Sequence, residues 1–271
     1  MNQLSVFATW LMVMPSVFAA SPEEKTVDVE LIAAHTSVQP GQTAQLGLRL
    51  RHEPHWHTYW LNPGDSGIAT SLAWTLPPGF SVGTIAWPRP SRFNVDGLYN
   101  FGFEGEMVLP VSVRVPDGAA PGVHRVSAVA KWLACREVCI PGKAELALDL
   151  TVAASPPEID ARWNELFDSA LTHQPKFVGW DAAVTDEAGD IVIRIDAEHV
   201  PETSGLDAFI ENRQVVSHAP PQITRDEHHL VVRFTRSEYF STAPTELGLV
   251  LTEPATARAW RLVVPFAPPK S

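Results

Sequence analysis

Apolar and polar residues alternate along most of this chain with a period of two, which places every second side chain on one face of a β-strand. The alternation is clear over residues 26–32, 44–50, 107–115, 126–132 and 144–152. It returns, after an interruption, over residues 191–195, 207–210, 230–235, 246–251 and 259–264. Turn-forming groups fall between runs: Pro40-Gly41, Pro63-Gly64-Asp65, Pro77-Pro78-Gly79, Asp117-Gly118, Pro121-Gly122 and Pro141-Gly142. Short strands punctuated this way predict a β-sandwich. The 24 prolines suit a chain rich in loops and sheet edges.

The interruption has another period. Residues 153–157 (Ala-Ala-Ser-Pro-Pro) read as a linker running into a helix, with Ser155 as cap and proline in the first turn. Ile159, Trp163, Leu166, Phe167 and Leu171 follow helical spacing, and Gln174-Pro175 ends it. The predicted division is a β-sandwich over residues 21–154, linker and helix over 155–175, and a second β-domain over 176–271. The helix is expected to pack on one of the sheets, and the class is all-β.

Residues 1–20 carry no charged side chain, residues 4–18 are mostly apolar, and small residues at Ala19 and Ala20 offer a cleavage point. They read as a secretory signal peptide, although no Lys or Arg precedes the apolar run; as a membrane anchor the run is too short and broken by Pro15. No later stretch reaches the ~18 apolar residues of a spanning helix. A formal net charge of -11 argues against nucleic acid as a partner.

The chain has 2 cysteines, Cys135 and Cys139, in the run Lys131-Trp-Leu-Ala-Cys-Arg-Glu-Val-Cys-Ile-Pro-Gly142. Four extended steps would span roughly 13–14 Å, whereas a disulfide needs Cα atoms about 4.4–6.8 Å apart. The backbone must fold back, as a hairpin with Arg136-Glu137-Val138 as its loop or as one helical turn; Trp132-Leu133 before and Ile140-Pro141-Gly142 after favour the hairpin. A loop this short contributes far less than the ~3 kcal/mol expected for about 15 residues, so the spacing favours a bond that opens over one that staples. Metal binding would need further ligands, and no His-x-x-His or second cysteine pair lies nearby. Export to an oxidising compartment fits a redox pair.

Several blocks resemble, in order, the N-terminal periplasmic domain of the disulfide reductase DsbD and the related suppressor-of-copper-sensitivity protein ScsB. They are residues 55–67 (His-Trp-His-Thr-Tyr-Trp-Leu-Asn-Pro-Gly-Asp-Ser-Gly), 74–80, 85–88, 97–111 and 132–142. The resemblance covers most of residues 27–152, and the second β-domain is similar to the two-domain region of the ScsB branch. It implies two immunoglobulin-like β-sandwich domains in the periplasm. It further implies thiol-disulfide exchange at Cys135 and Cys139 without a bound cofactor. The donor would be a thioredoxin-like domain or a membrane electron-transfer protein, and the acceptor an oxidised exported protein. By the same analogy Cys139 forms the mixed disulfides and Cys135 resolves them. DsbD itself has a longer spacer than the three residues here, as against the matching ScsB branch. Its cap loop, Asp-Glu-Phe-Tyr, corresponds to Asp96-Gly97-Leu98-Tyr99, so Leu98, Tyr99 or Phe101 would shield the sulfurs beside Asp96.

Exchange needs a thiolate; Lys131 and Arg136 favour one, while Glu137, Asp96 and Glu104 oppose it. His55 and His57 would share one face of a strand, a weak metal pair; the plainer reading puts Trp56 and Trp60 in the core and the histidines at the surface or in a loop. Asn62-Pro-Gly-Asp-Ser-Gly67 reads as a structured turn, and no Ser/His/Asp pattern supports a hydrolase. The leading expectation is a periplasmic thiol-disulfide relay. The alternative is a non-catalytic exported sandwich that binds a protein or copper and keeps a structural disulfide.

Overall fold

The computed structural model describes residues 26–202 and 205–266, so the signal-peptide reading of residues 1–20 lies outside the described residues. The first sandwich comprises β1 (Val27–Ala33), β2 (Thr43–His52), β3 (His57–Gly64), β4 (Ser71–Thr75), β5 (Ser81–Ile85), β6 (Ser91–Val95), β7 (Leu98–Glu104), β8 (Glu106–Arg114), β9 (Gly122–Cys135) and β10 (Cys139–Val152). One sheet runs β1-β2-β8-β5; the other runs β10-β9-β3-β7-β6, with β4 on β9. Alternation builds the core: Leu48, Leu50 and Leu109 of the first sheet face Trp60, Phe101, Phe103, Ala130 and Ala134 of the second.

Two of the predicted turns are strand. Pro63-Gly64 ends β3, and Pro141-Gly142 lies within β10, opposite Leu133 and Trp132. Because β10 is an edge strand, the missing N–H of Pro141 breaks no ladder. Gly142 is required by its neighbour: a Cβ there would sit 2.1 Å from the Trp132 indole.

The helix is shorter than predicted, α1 spanning Asn164–Thr172. Ser155 does not cap it, because Asp160 first closes a turn by accepting the Arg162 N–H and guanidinium. Ile159 and Leu171, both expected on its apolar face, are exposed. Phe167 and Ala170 pack against Ile32 and Val108 on the first sheet.

The second sandwich comprises β11 (Lys176–Phe177), β12 (Ala182–Glu187), β13 (Asp190–Asp196), β14 (Asp207–Ile210), β15 (Gln222–Arg225), β16 (His229–Thr235), β17 (Glu246–Glu253) and β18 (Arg258–Pro265). Its sheets run β11-β18-β17-β14 and β12-β13-β16-β15, closing on Ile191, Ile193, Val232, Leu249, Leu251 and Leu262. The fold is all-β and immunoglobulin-like, as the alternation and the resemblance led us to expect.

The two sandwiches share a seam. Along β14, Ala208 and Ile210 face the second core, while Phe209 and its neighbour Val250 on β17 join the first. The Phe209 ring lies 5.0 Å from Phe101 and 6.2 Å from Trp60. The Arg92 guanidinium sits 4.8 Å from both the Phe101 and the Phe209 ring centres. It pairs with Asp207 at 2.8 Å and donates to the carbonyls of Ala208 and His218. Asn62 donates to the Ile210 carbonyl at 2.8 Å, and His218 meets Asp65 at 2.7 Å.

Candidate functional site: a disulfide at the tip of an edge hairpin

The last residue of β9 and the first of β10 are cross-strand partners, and they are the two cysteines. The hairpin loop is Arg136-Glu137-Val138, closed by Arg136 N–H to the Val138 carbonyl at 3.2 Å. The Cα atoms lie 4.1 Å apart and the sulfurs are bonded. The two ends of the bond differ in access: Cys135 is 4% exposed, whereas Cys139 is solvent-exposed.

On its other side Cys135 pairs with His57 of β3, which in turn pairs with Glu104 of β7. Cys139, Cys135, His57 and Glu104 therefore form one row across four strands. Directly paired residues share a face, here the one opposite the core side chains Trp60, Phe101 and Ala134. Tyr59, two residues beyond His57, lies on the same face and brings its hydroxyl to 3.8 Å from Cys139 Sγ.

That phenol is locked from behind. The 62–67 stretch, predicted as a turn, folds over it: Gly67, at φ 96°, lies so close that a Cβ would fall 2.2 Å from the Tyr59 ring. The Ser66 hydroxyl bonds Tyr59 and donates to Asn100 Oδ1 at 2.9 Å. Burial holds the Tyr59 pKa above its ordinary value, so a neutral phenol touches Cys139. Arg136, the residue after Cys135, holds its guanidinium 5.1 Å from the centre of the buried Trp56 ring.

His57 is 4% exposed, stacked on Phe93 at 4.8 Å and edge-on to Tyr59 at 5.3 Å. Its Nε2 is buried without a hydrogen-bond partner. Burial, with His52 adding to it, pushes its pKa from 6.5 down to about 4. His52 is also lowered by burial. Its Nδ1–H donates to the Gly105 carbonyl at 2.7 Å, and its Nε2 accepts from the Thr58 hydroxyl at 2.9 Å. Both imidazoles are neutral in the folded protein at pH 7.

A pH dependence of stability follows. Between about 4 and 6.5 the unfolded chain protonates His57 while the folded chain does not. The stabilisation is complete above pH 6.5 and is lost as pH falls towards 4, up to about 3 kcal/mol from this residue. Urea unfolding at pH 7 and pH 4.5 is expected to show that loss, and His57→Phe to reduce it.

The predicted shield is redistributed. Asp96 (φ 51°) and Gly97 (φ 87°) form the two-residue turn between β6 and β7, with Asn94 Oδ1 accepting the Gly97 N–H. Alternation along β7 puts Leu98, half-exposed, on the cysteine face and Tyr99 and Phe101 on the other. Phe101 is therefore not a shield; it is spent on the seam against Phe209. Tyr99 serves through its backbone, which exchanges two hydrogen bonds with Asp65 at 2.7 and 2.9 Å. The ring on the exposed sulfur is Tyr59, which sequence reasoning passed over. Its one signal is the i, i+2 relation to His57, readable only once β3 is known to lie beside Cys135. His55 and His57 do not form a pair: His55 sits in a left-handed turn (φ 69°) and is exposed, while His57 is buried, contrary to its predicted surface position.

An immunoglobulin-like sandwich carrying a cystine on an edge hairpin, one sulfur open and one closed, is the class that fold and site define. Residues 24–151 match the family described as thiol:disulfide interchange protein DsbD, N-terminal. The fold is similar to the crystal structure of the N-terminal periplasmic domain of ScsB from Proteus mirabilis, with TM-score 0.68 and 20% identity over 92% of this chain and 96% of that one. That coverage includes both sandwiches. The sporulation control protein Spo0M from Bacillus subtilis aligns over 87% of this chain and 83% of its own at 11% identity and TM-score 0.24, which bears on nothing here. Among curated proteins, none matches the chain. No helix among the described residues is long and apolar enough to cross a membrane.

Proposed function

We propose that this chain is a periplasmic thiol-disulfide relay. It receives electrons from a thioredoxin-like domain or a membrane electron-transfer protein and passes them to oxidised exported proteins. The observation that carries the reading is the unequal access to one bond: Cys139 open, Cys135 closed. The DsbD-type family and a relative described as periplasmic support the compartment and the chemistry.

A donor thiolate attacks Cys139 Sγ; the sulfur–sulfur bond opens and its electron pair leaves on Cys135 Sγ. A second donor thiolate attacks the donor's own sulfur in the mixed disulfide, and Cys139 leaves as a thiolate. The donor ends as a disulfide, two electrons have entered this chain, and its thiolates take protons from water as their pKa values require. Run in reverse, Cys139 attacks the disulfide of an exported protein and Cys135 resolves the intermediate. Cys135 is shielded from outside attack yet adjacent to Cys139, as a resolving thiol must be.

Equilibration of the whole protein in glutathione and dithiol buffers, read by thiol alkylation, tests this. A relay is expected to titrate at a potential above about -300 mV. A bond that stays closed to well below that value would make it structural and end the proposal.

A further inference from the structure

We infer that His57 is the hydrogen-bond donor that receives the Cys135 thiolate when the disulfide opens. This rests on the relay reading, because it concerns the open state of the same bond.

The placement is set by strand order. β9 lies between β10 and β3, so Cys135 has Cys139 on one side and His57 on the other, all on one face. Bonded sulfurs lie about 2 Å apart, and separated ones relax to van der Waals distance, roughly 3.5–4 Å. Cys135 Sγ moves away from Cys139, and that direction leads toward β3. Directly opposed side chains in an antiparallel pair have Cβ atoms only about 4.5–5.5 Å apart, within reach of an imidazole N–H.

The imidazole is prepared for such an acceptor. Its Nε2 is buried and has no partner with the disulfide closed. The ring cannot readily turn away, being stacked on Phe93 and edged by Tyr59. With the ring proton on Nε2, the tautomer this inference assigns, the buried donor has no partner, which is costly, and a disulfide sulfur is a poor acceptor. A thiolate is a strong one, and hydrogen bonds to ionised acceptors are roughly twice as strong as neutral ones. The charged and titratable groups nearby leave this donor available. Glu104, the next residue in the row, is exposed; His52 has both ring nitrogens engaged by Gly105 and Thr58; Arg136 lies over Trp56. No proton is transferred: the N–H of a neutral ring stabilises the anion that bond opening leaves on Cys135.

Stabilising the reduced state raises the reduction potential. In a glutathione buffer, full-length His57→Phe, which keeps the ring and loses the N–H, is expected to favour the disulfide about tenfold more than wild type, a potential about 30 mV more negative. Its Cys135 thiol is expected to titrate higher in an alkylation assay. His57→Gln restores an N–H donor and should recover most of the shift, which a purely structural role would not produce. Should His57→Phe fail to fold, the wild-type protein supplies the readout. The His57 Nε2–H proton resonance is expected to move downfield on reduction, and no movement would overturn the inference. If wild type opens in glutathione and His57→Phe matches its potential, His57 has no such role and the relay stands. If the wild-type bond does not open, both fall.

Discussion

Cys139→Ser is expected to reduce thiol-disulfide exchange to the background of a protein without thiols, while Cys135→Ser captures a partner and holds it. The difference follows from access. With Cys135 replaced, Cys139 remains at the surface of the hairpin, can form a disulfide with an incoming protein, and has no neighbouring thiol to release it. With Cys139 replaced, the remaining thiol is 4% exposed beneath the hairpin, where a folded partner cannot align its sulfur. Each variant is incubated with a thioredoxin-type protein that lacks its resolving cysteine and carries its remaining cysteine as a mixed disulfide with thionitrobenzoate, so that the attacking thiolate displaces thionitrobenzoate, and non-reducing electrophoresis reads the result. Capture by Cys139→Ser with none by Cys135→Ser would reverse the two roles.

Arg92→Met is expected to cost about 2–3 kcal/mol of stability, less than removing one partner from a fully buried ion pair because the Asp207 side chain is 25% exposed. The guanidinium is 9% exposed, lies against Phe101 and Phe209, and is the counter-charge of Asp207. Methionine fills the space but removes the guanidinium donor from the His218 and Ala208 carbonyls and from Asp207, which keeps only the Ala208 N–H at 2.7 Å. Arg92→Lys restores only part of the loss, since an ammonium lacks the planar fork that serves several acceptors while stacking on rings. Urea denaturation measures both, and a loss under about 1 kcal/mol for methionine would show that the seam does not depend on this residue.

Where one sheet face is apolar and the other wetter, alternation revealed the strand, as in β2, β10 and β16. Strand β3 escaped notice because it is buried on both faces: Tyr59 and Trp60 point in opposite directions and both are 1% exposed, so no period of two is visible. Proline misled at Pro141, where an edge strand tolerates the residue that a turn also prefers. The helix was misjudged at its start because Ile159 and Trp163 match helical spacing, although Asp160 and Arg162 hold a turn between them. The hairpin at the cysteines was legible from distance alone. Its surroundings were not: the phenol on Cys139 comes from 80 residues away, and the Phe101 expected to shield it is claimed by a sandwich that begins after the helix.

The shared seam has a practical consequence for dissecting this protein. The family match ends at residue 151, which invites cutting there. Excision at that point would strip Phe209 and Val250 from Trp60 and Phe101, and Phe167 from Val108. The isolated half would carry its redox centre together with a raw oily surface, and its binding partners in solution would report stickiness in place of recognition.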